Sequence, residues 1–176
     1  MKTFVRSFTL FLMLSILAGC GYSTRSNLAG NFRSISIEPF KNTVSYSAEQ
    51  ATKNLYIPLL EVKITNAVTD RFLFDGNLKI ADKGKADLAL EGSLLNYERN
   101  ALRYTDDEDV QEYRISIVVS MTLFDKSGEV VWSEPSFAGE ATYFVTGPLA
   151  RSENAAIEDA LTDLARRIVE RTVENW

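Results

Sequence analysis

The chain has 176 residues, of which 45% are hydrophobic and 24% are charged, as in an ordinary globular protein with one domain. Its net charge of −5 at pH 7 argues against binding to nucleic acid. It has no histidine and a single cysteine, which excludes histidine-based acid–base catalysis, histidine metal ligation and any disulfide within the chain.

The first 19 residues have the order of parts of a secretory signal. Lys2 and Arg6 precede an apolar run from Phe8 to Leu17, and small residues follow. The run is about ten residues long, whereas a helix that crosses a bilayer needs about 20, so we predict that residues 1–19 are removed. This signal contains two of the 19 basic residues and no acidic one, which leaves the rest of the chain with a net charge of −7.

The signal ends in Leu17-Ala18-Gly19-Cys20, a pattern that resembles a bacterial lipobox. The resemblance implies that Cys20 becomes the N-terminus and carries a thioether-linked diacylglycerol and an N-acyl chain; no other cofactor is expected. The alternative is a small buried cysteine that happens to follow a signal. The basic residues, the apolar run and the small residues all stand at the distances from Cys20 that a lipoprotein signal requires, which favours lipidation.

A doubly or triply acylated cysteine holds a protein stably on a membrane. We therefore expect a domain tethered to a membrane surface on the periplasmic side. Gly21 stands where lipoproteins retained at the inner membrane commonly have aspartate, and by this sorting rule the outer membrane is favoured. Residues 20–31 are polar and are predicted to be the tether, and residues 32–176 a single domain.

The domain begins with alternating residues that predict a strand from Ser34 to Glu38, ended by Pro39. A polar connection from Lys41 to Asn54 follows and is predicted to be a loop. Pro58 suits the start of a helix that ends at Asp75-Gly76. The buried stripe of this helix is predicted to comprise Ile57, Leu60, Ile64, Val68 and Phe72.

A short strand, Leu78-Lys79-Ile80, should run parallel to the first one, because a helix connects them. A long strand from Ala86 to Tyr104 changes parity, which predicts a bulge between Gly92 and Leu95. Asp106 to Asp109 forms the next turn. Its carboxylates could in principle bind Ca²⁺, but the spacing of a calcium loop is lacking, and a solvated turn is favoured.

The next strand, from Tyr113 to Phe124, alternates most regularly, and the turn Asp125 to Gly128 closes a hairpin. The returning strand runs from Glu129 to Glu134, Pro135 interrupts it, and Phe137 to Val145 continues in extended form. Ser152 is the predicted N-cap of a final helix, with Glu153 in its first turn. Its apolar stripe comprises Ile157, Leu161, Leu164 and Ile168.

These elements predict an α+β fold, a two-layer sandwich with two amphipathic helices packed on one face of a mixed four- to five-stranded sheet. Helices on both faces would have required nearly continuous apolar strands. The other face is therefore predicted to be solvated or to meet a polar partner. It should carry Ser34, Ser36, Asp87, Glu91, Ser93, Arg114, Ser116, Ser120 and Thr122.

Five segments, taken in order, make the chain resemble the lipopolysaccharide-assembly lipoproteins of the LptE family. The resemblance implies a non-enzymatic outer-membrane lipoprotein that plugs and helps assemble an LptD-type β-barrel and assists delivery of lipopolysaccharide to the outer leaflet. The segments are Cys20-Gly21-Tyr22, Ser36 to Asn42, Ala86 to Gly92, Tyr113-Arg114-Ile115 and Leu123 to Trp132.

A lipopolysaccharide-binding protein should present cations to phosphates. The candidates are Arg99, Arg103 and Arg114 around the long hairpin and Lys126 at the opposite turn, and the alternative is that they are scattered surface charges. No catalytic set and no metal site are predicted. The alternative function for the whole chain is a periplasmic lipoprotein that activates a cell-wall synthase; a hydrolase is a remote third because histidine is lacking.

Overall fold

A computed structural model describes residues 32–44 and 57–173. The predicted signal, the predicted tether, Cys20 and most of the predicted loop between Lys41 and Asn54 lie outside the described residues. Neither described helix is both long enough and apolar enough to cross a membrane.

One mixed sheet contains all the described strands. Its order is β3-β1-β4-β5-β6, and the two-residue β2 lies beside β4 as a continuation of β1. β1 is parallel to both β3 and β4, whereas β4, β5 and β6 are antiparallel to one another. The bounds are Ser34–Ile37 for β1, Lys41–Asn42 for β2, Lys79–Ile80 for β3, Leu88–Tyr104 for β4, Val110–Asp125 for β5 and Val130–Phe144 for β6.

The first helix, α1 (Leu60–Asp75), joins β2 to β3 and so forms the predicted crossover between parallel strands. Four of its five predicted stripe residues are buried within it, and Ile57 precedes the helix and is half-buried. Gly76 ends the helix as predicted: at φ 73° it adopts the left-handed conformation, and its N–H donates to the carbonyl of Phe72 at 3.0 Å.

The predicted bulge in β4 is confirmed. The register with β5 shifts between Leu94 and Asn96, so Leu95 is the extra residue. Leu95 is therefore partly exposed, although its parity with Tyr97 suggested a place in the core. Leu94 on one side of the bulge and Tyr97 on the other both reach the core, so the strand keeps one buried face along its length.

Pro135 does not end the returning strand. β6 continues through it, and the register with β5 shifts between the partners of Val119 and Met121, next to Pro135. β6 is the last strand of the sheet, where a missing N–H on one side is tolerated. The two predicted segments thus form one strand with an irregularity at the proline.

The second helix, α2 (Glu153–Val173), begins as predicted: the Ser152 hydroxyl accepts the N–H of Ala155 at 3.2 Å. Both helices contribute to the single hydrophobic core, and α2 packs on α1, β5 and β6. The buried apolar side chains of the strands belong to the same core as the helices, among them Ile35 of β1, Leu90 of β4, Ile117 of β5 and Trp132 of β6. The predicted two-layer α+β sandwich, with both helices on one face of the sheet, is confirmed.

Candidate functional site

The sheet face that carries no helix is here called the open face. The nine predicted polar residues lie on it, and small hydroxyl side chains dominate its centre. Ser93 of β4 stands opposite Ser120 of β5. The Thr122 hydroxyl lies 3.1 Å from that of Ser133 on β6. This hydroxyl-rich surface suits contact with water or with another polar surface.

Asp87 closes one edge of the open face next to β1. Its carboxylate accepts the N–H of Arg33 at 2.9 Å and the hydroxyl of Ser34 at 3.0 Å. These hydrogen bonds, the one from Arg33 first, hold the pKa of the Asp87 carboxyl below its usual value. These bonds join the residues at the start of β1 to those at the start of β4. Asp87 therefore lies on the predicted polar face, and its role there is structural.

Two adjoining depressions indent the open face between β2 and the β5–β6 turn, with volumes of about 560 Å³ and about 360 Å³. Both are lined by Lys83, Glu91 and Phe124. The Lys83 ammonium lies 2.9 Å from Glu91 and 3.3 Å from Glu38, and these hydrogen bonds raise the pKa of Lys83. Lys83 therefore fastens the loop between β3 and β4 to the face.

The sequence did not point to Lys83. Asp82 to Lys85 is a short run of charged residues around a glycine, and such a run indicates only a turn. Its partners Glu38 and Glu91 are 45 and 8 residues away in the sequence. Both meet Lys83 because β1 and β4 are paired in parallel.

The four predicted lipopolysaccharide contacts do not form one cluster. Arg99 lies on the helix side of the sheet, where its guanidinium is 2.5 Å from Glu153 of α2 and 5.2 Å from the ring centre of Tyr113. The same Glu153 accepts the hydroxyl of Tyr97 at 2.8 Å. Arg99 therefore holds the start of α2 against the sheet.

Arg103 and Arg114 share the open face near the far end of the β4–β5 hairpin. Arg103 lies 3.6 Å from Glu112 and stands over the ring of Phe144. Arg114 lies 3.9 Å from Glu140. Both side chains are about half exposed or more, and these long ion pairs leave hydrogen-bonding groups available to a ligand.

Lys126 lies at the opposite end of the sheet, in the turn between β5 and β6, and it lines the smaller depression. The structure thus brings Arg103 and Arg114 together and separates both from Arg99 and Lys126. Contact of any of the four with lipopolysaccharide stays a prediction.

In the described ranges 32–44 and 57–173, no group of three or more His, Cys, Asp or Glu side chains could hold a metal ion. In the Asp106 to Asp109 turn, the N–H of Thr105 donates to the carbonyl of Asp109 at 2.7 Å, and Glu108 has a φ of 64°. This geometry closes the β4–β5 hairpin.

Two solved structures with TM-scores of 0.50 or more support the class of the fold, a two-helix α+β domain on a mixed sheet. A protein from Xanthomonas campestris is 14% identical, with a TM-score of 0.53, over 80% of this chain and 84% of its own. A minor lipoprotein from Acinetobacter baumannii is 14% identical, with a TM-score of 0.50, over 82% and 94%. Rare lipoprotein B from Shewanella oneidensis is 16% identical, with a TM-score of 0.46, over 81% and 92%.

The family follows from the sequence itself. The model of the LptE family, described as lipopolysaccharide-assembly, matches residues 32–172. The chain therefore belongs to the LptE family of non-enzymatic assembly lipoproteins, and the resemblance inferred from its motifs is confirmed. Membership implies a role in lipopolysaccharide assembly. No curated protein matches the chain in sequence.

Proposed function

We propose that this protein is an outer-membrane lipoprotein, anchored through acyl chains on Cys20, whose domain on the periplasmic side plugs an LptD-type β-barrel. In that position it helps the barrel to assemble and assists the delivery of lipopolysaccharide to the outer leaflet. Family membership gives the assembly role; the plug, the anchor and the barrel partner are the steps proposed here.

The observation that carries the proposal is the open face. A plug needs a rigid core on one side and a polar surface toward the hydrated lumen on the other. Here the helices bury the central part of one face of the sheet, while serine and threonine hydroxyls occupy the centre of the other. Hydroxyl groups adapt to water-mediated contacts, which suits a wet interface.

The far end of the sheet supports the same proposal. β4 and β5 continue beyond the core residue Tyr97, and apolar side chains are exposed at their end, including Leu102, Tyr104 and Leu149. An exposed apolar group rimmed by polar residues is typical of a protein-binding surface. Next to it, Arg103 and Arg114 are the two predicted cations best placed to meet lipid phosphates.

The test is extraction in mild detergent followed by affinity purification of the full chain. A large β-barrel protein should copurify. Recovery of this protein alone, under conditions that preserve other envelope complexes, would contradict the proposal. Recovery of a peptidoglycan synthase would instead support activation of a cell-wall synthase.

A pair of variants locates the interface. Ser120→Arg places a long charged side chain at the centre of the open face and should reduce barrel recovery. Asn66→Arg places the same side chain on an exposed position of α1 and serves as the matched control. Equal recovery with both variants would show that the open face is not the docking surface.

A further inference from the structure

Two apolar side chains at the end of α1 are not explained by the fold. Phe74 is 80% exposed, more than any other large hydrophobic residue in the described part of the chain, and Leu73 beside it is 62% exposed. They precede the terminal Asp75 and lie off the buried stripe of the helix. The Arg71 guanidinium stands 5.3 Å from the centre of the Phe74 ring. An exposed aromatic beside an exposed leucine and an arginine is an amphipathic group that suits an interface between water and lipid.

This end of α1 is also where the chain enters the domain. The N–H of Lys79, four residues beyond α1, donates to the carbonyl of Arg33 at 2.9 Å. Phe32, the first described residue, packs against the core. The connection toward Cys20 therefore leaves the domain beside Leu73 and Phe74.

The length of that connection limits where this end can be. Eleven residues separate Cys20 from Phe32. Because an extended chain spans at most about 3.3–3.6 Å per residue, Phe32 stays within about 40 Å of the anchor, whatever the conformation between them. Leu73 and Phe74 are therefore within reach of the bilayer that contains the acyl chains. Leu149 lies near the far end of the β4–β5 hairpin, where the adjacent Ala150 bridges to Phe144 at the end of β6.

Charges of both signs lie at the entry end. Arg33, Arg71 and Lys79 are there together with Asp70, Asp75 and Asp87, and the Asp87 carboxylate accepts the N–H of Arg33 at 2.9 Å. Asp75 accepts hydrogen bonds from the side chain and the backbone N–H of Asn77 and so faces its own turn. The rest of the chain is acidic, so bulk charge does not attract it to anionic lipid, and the apolar pair has to supply the contact.

We propose that Leu73 and Phe74, with Arg71, form a second membrane contact: they insert into the headgroup region of the bilayer that holds the acylated Cys20. The inference rests on the anchor that is part of the proposed function. This contact orients the domain by holding the entry end of the sheet at the bilayer surface. One acylated residue alone would leave the domain free to rotate.

The single cysteine makes a sharp test available. In the acylated full chain the Cys20 sulfur is in a thioether, so Leu73→Cys introduces the only free thiol for a nitroxide label. The protein is reconstituted alone into vesicles of phosphatidylethanolamine and phosphatidylglycerol. Access of the label to oxygen, which concentrates in lipid, is then compared with access to a water-soluble nickel complex. Leu149→Cys, which is 69% exposed at the far end, is the matched control.

The label at position 73 should favour oxygen, and the label at position 149 should favour the nickel complex. Adding Phe74→Glu to Leu73→Cys should abolish the preference for oxygen, because a carboxylate does not enter the lipid. Circular dichroism verifies that each variant is folded, and the exposure of these side chains in the domain makes unfolding a minor concern.

If the labels at positions 73 and 149 are equally accessible to the nickel complex while the protein stays bound to the vesicles, this inference is overturned and the anchor is not. A label at position 73 that becomes immobilised only as protein concentration rises assigns the pair to contact between two copies and also overturns it. Protein that lacks acyl groups by mass spectrometry overturns the proposed anchor and this inference together.

Discussion

Gly139 is the residue at which α2 approaches the sheet most closely. A Cβ atom placed on it would lie 2.3 Å from the Cβ of Leu164 and 2.6 Å from the carbonyl oxygen of Ala160. Both atoms belong to the body of α2 and cannot rotate away. A side chain at position 139 would therefore push the helix off β6, and the position requires glycine for space.

We expect Gly139→Ala to lower the free energy of unfolding by about 1–3 kcal/mol, the usual cost of overpacking a core. Urea unfolding followed by circular dichroism measures the change. Gly84→Ala is the control, because a Cβ there meets no atom within 4 Å. An unchanged urea midpoint for Gly139→Ala would mean that α2 is not held at this distance.

Tyr97 connects stability to pH. Burial, and then its hydrogen bond to Glu153, raise the pKa of the Tyr97 phenol well above its usual value. Burial also raises the pKa of Tyr143, whose hydroxyl lies 3.4 Å from Glu153. The unfolded chain therefore loses these protons first as pH rises past about 10, and the folded state loses stability.

We expect the free energy of unfolding to fall above about pH 10, at a rate of up to about 1.4 kcal/mol per pH unit for each phenol. Tyr97→Phe should flatten this fall, since it removes one of the two groups. Tyr104→Phe, at an exposed position, should leave it unchanged. Urea midpoints measured from about pH 8 to about pH 11 decide between these outcomes, and identical slopes in all three proteins would refute the assignment.

The outer edge of β6 is protected by α2. Asp163 accepts the N–H of Glu140 at 3.1 Å, and Arg167 donates to the carbonyl of Ala138. These backbone groups would otherwise be free to pair with a strand of another chain. The loop beyond β6 continues the cover, because the N–H of Arg151 donates to the carbonyl of Phe144 at 2.8 Å.

Removing this protection should expose the edge. We expect Asp163→Ala with Arg167→Ala to associate in a concentration-dependent manner, which sedimentation velocity detects. Lys63→Ala with Glu158→Ala is the matched control, since it deletes an ion pair between α1 and α2 that involves neither Asp163 nor Arg167 and so leaves the β6 cover in place. A double variant that remains monomeric at every concentration would show that Pro135 and the adjacent irregularity suffice to block pairing.

The helices and strands with strong periodicity could be predicted from the sequence, whereas some of their irregularities could not. The stripe of α1 and the alternation in β5 predict the faces that are buried. The two-residue β2 was assigned to a loop, since Lys41 and Asn42 carry no strand pattern and pair with β4 only because β1 directs them there. Pro135 predicted that the strand would be interrupted, yet the strand continues because it lies at the edge of the sheet.

The candidate cations show the limit of the same reasoning. Arg99 and Arg103 are four residues apart in β4, yet they lie on opposite faces of the sheet. The register shift between Ala101 and Arg103 reverses the expected parity. A one-residue irregularity of this kind depends on the partner strand, so the pattern of β4 alone does not reveal it.

At the scale of the whole molecule, the proposed anchor would place the domain at the membrane. We expect mass spectrometry of the N-terminal peptide to find acyl groups on Cys20.

A second experiment replaces residues 1–20 by the signal of a soluble secreted protein. We expect this chain to leave the membrane fraction when the barrel is absent, because the acyl chains, which contribute about 0.8 kcal/mol per buried CH₂, are lost. The full chain is the control. Continued membrane association of the replaced chain, without a partner, would contradict the anchor.

The sequence by itself determined the α+β class, the buried faces of both helices, the polar character of the open face and the family. Periodicity and residue type specify these properties locally, and each segment carries its own signal. Only the tertiary structure decided that Arg99 binds Glu153 on the helix side, that Lys83 joins Glu38 and Glu91, and that Phe74 lies where the chain enters. These facts depend on strand register and on contacts between residues far apart in the chain, which no local pattern encodes.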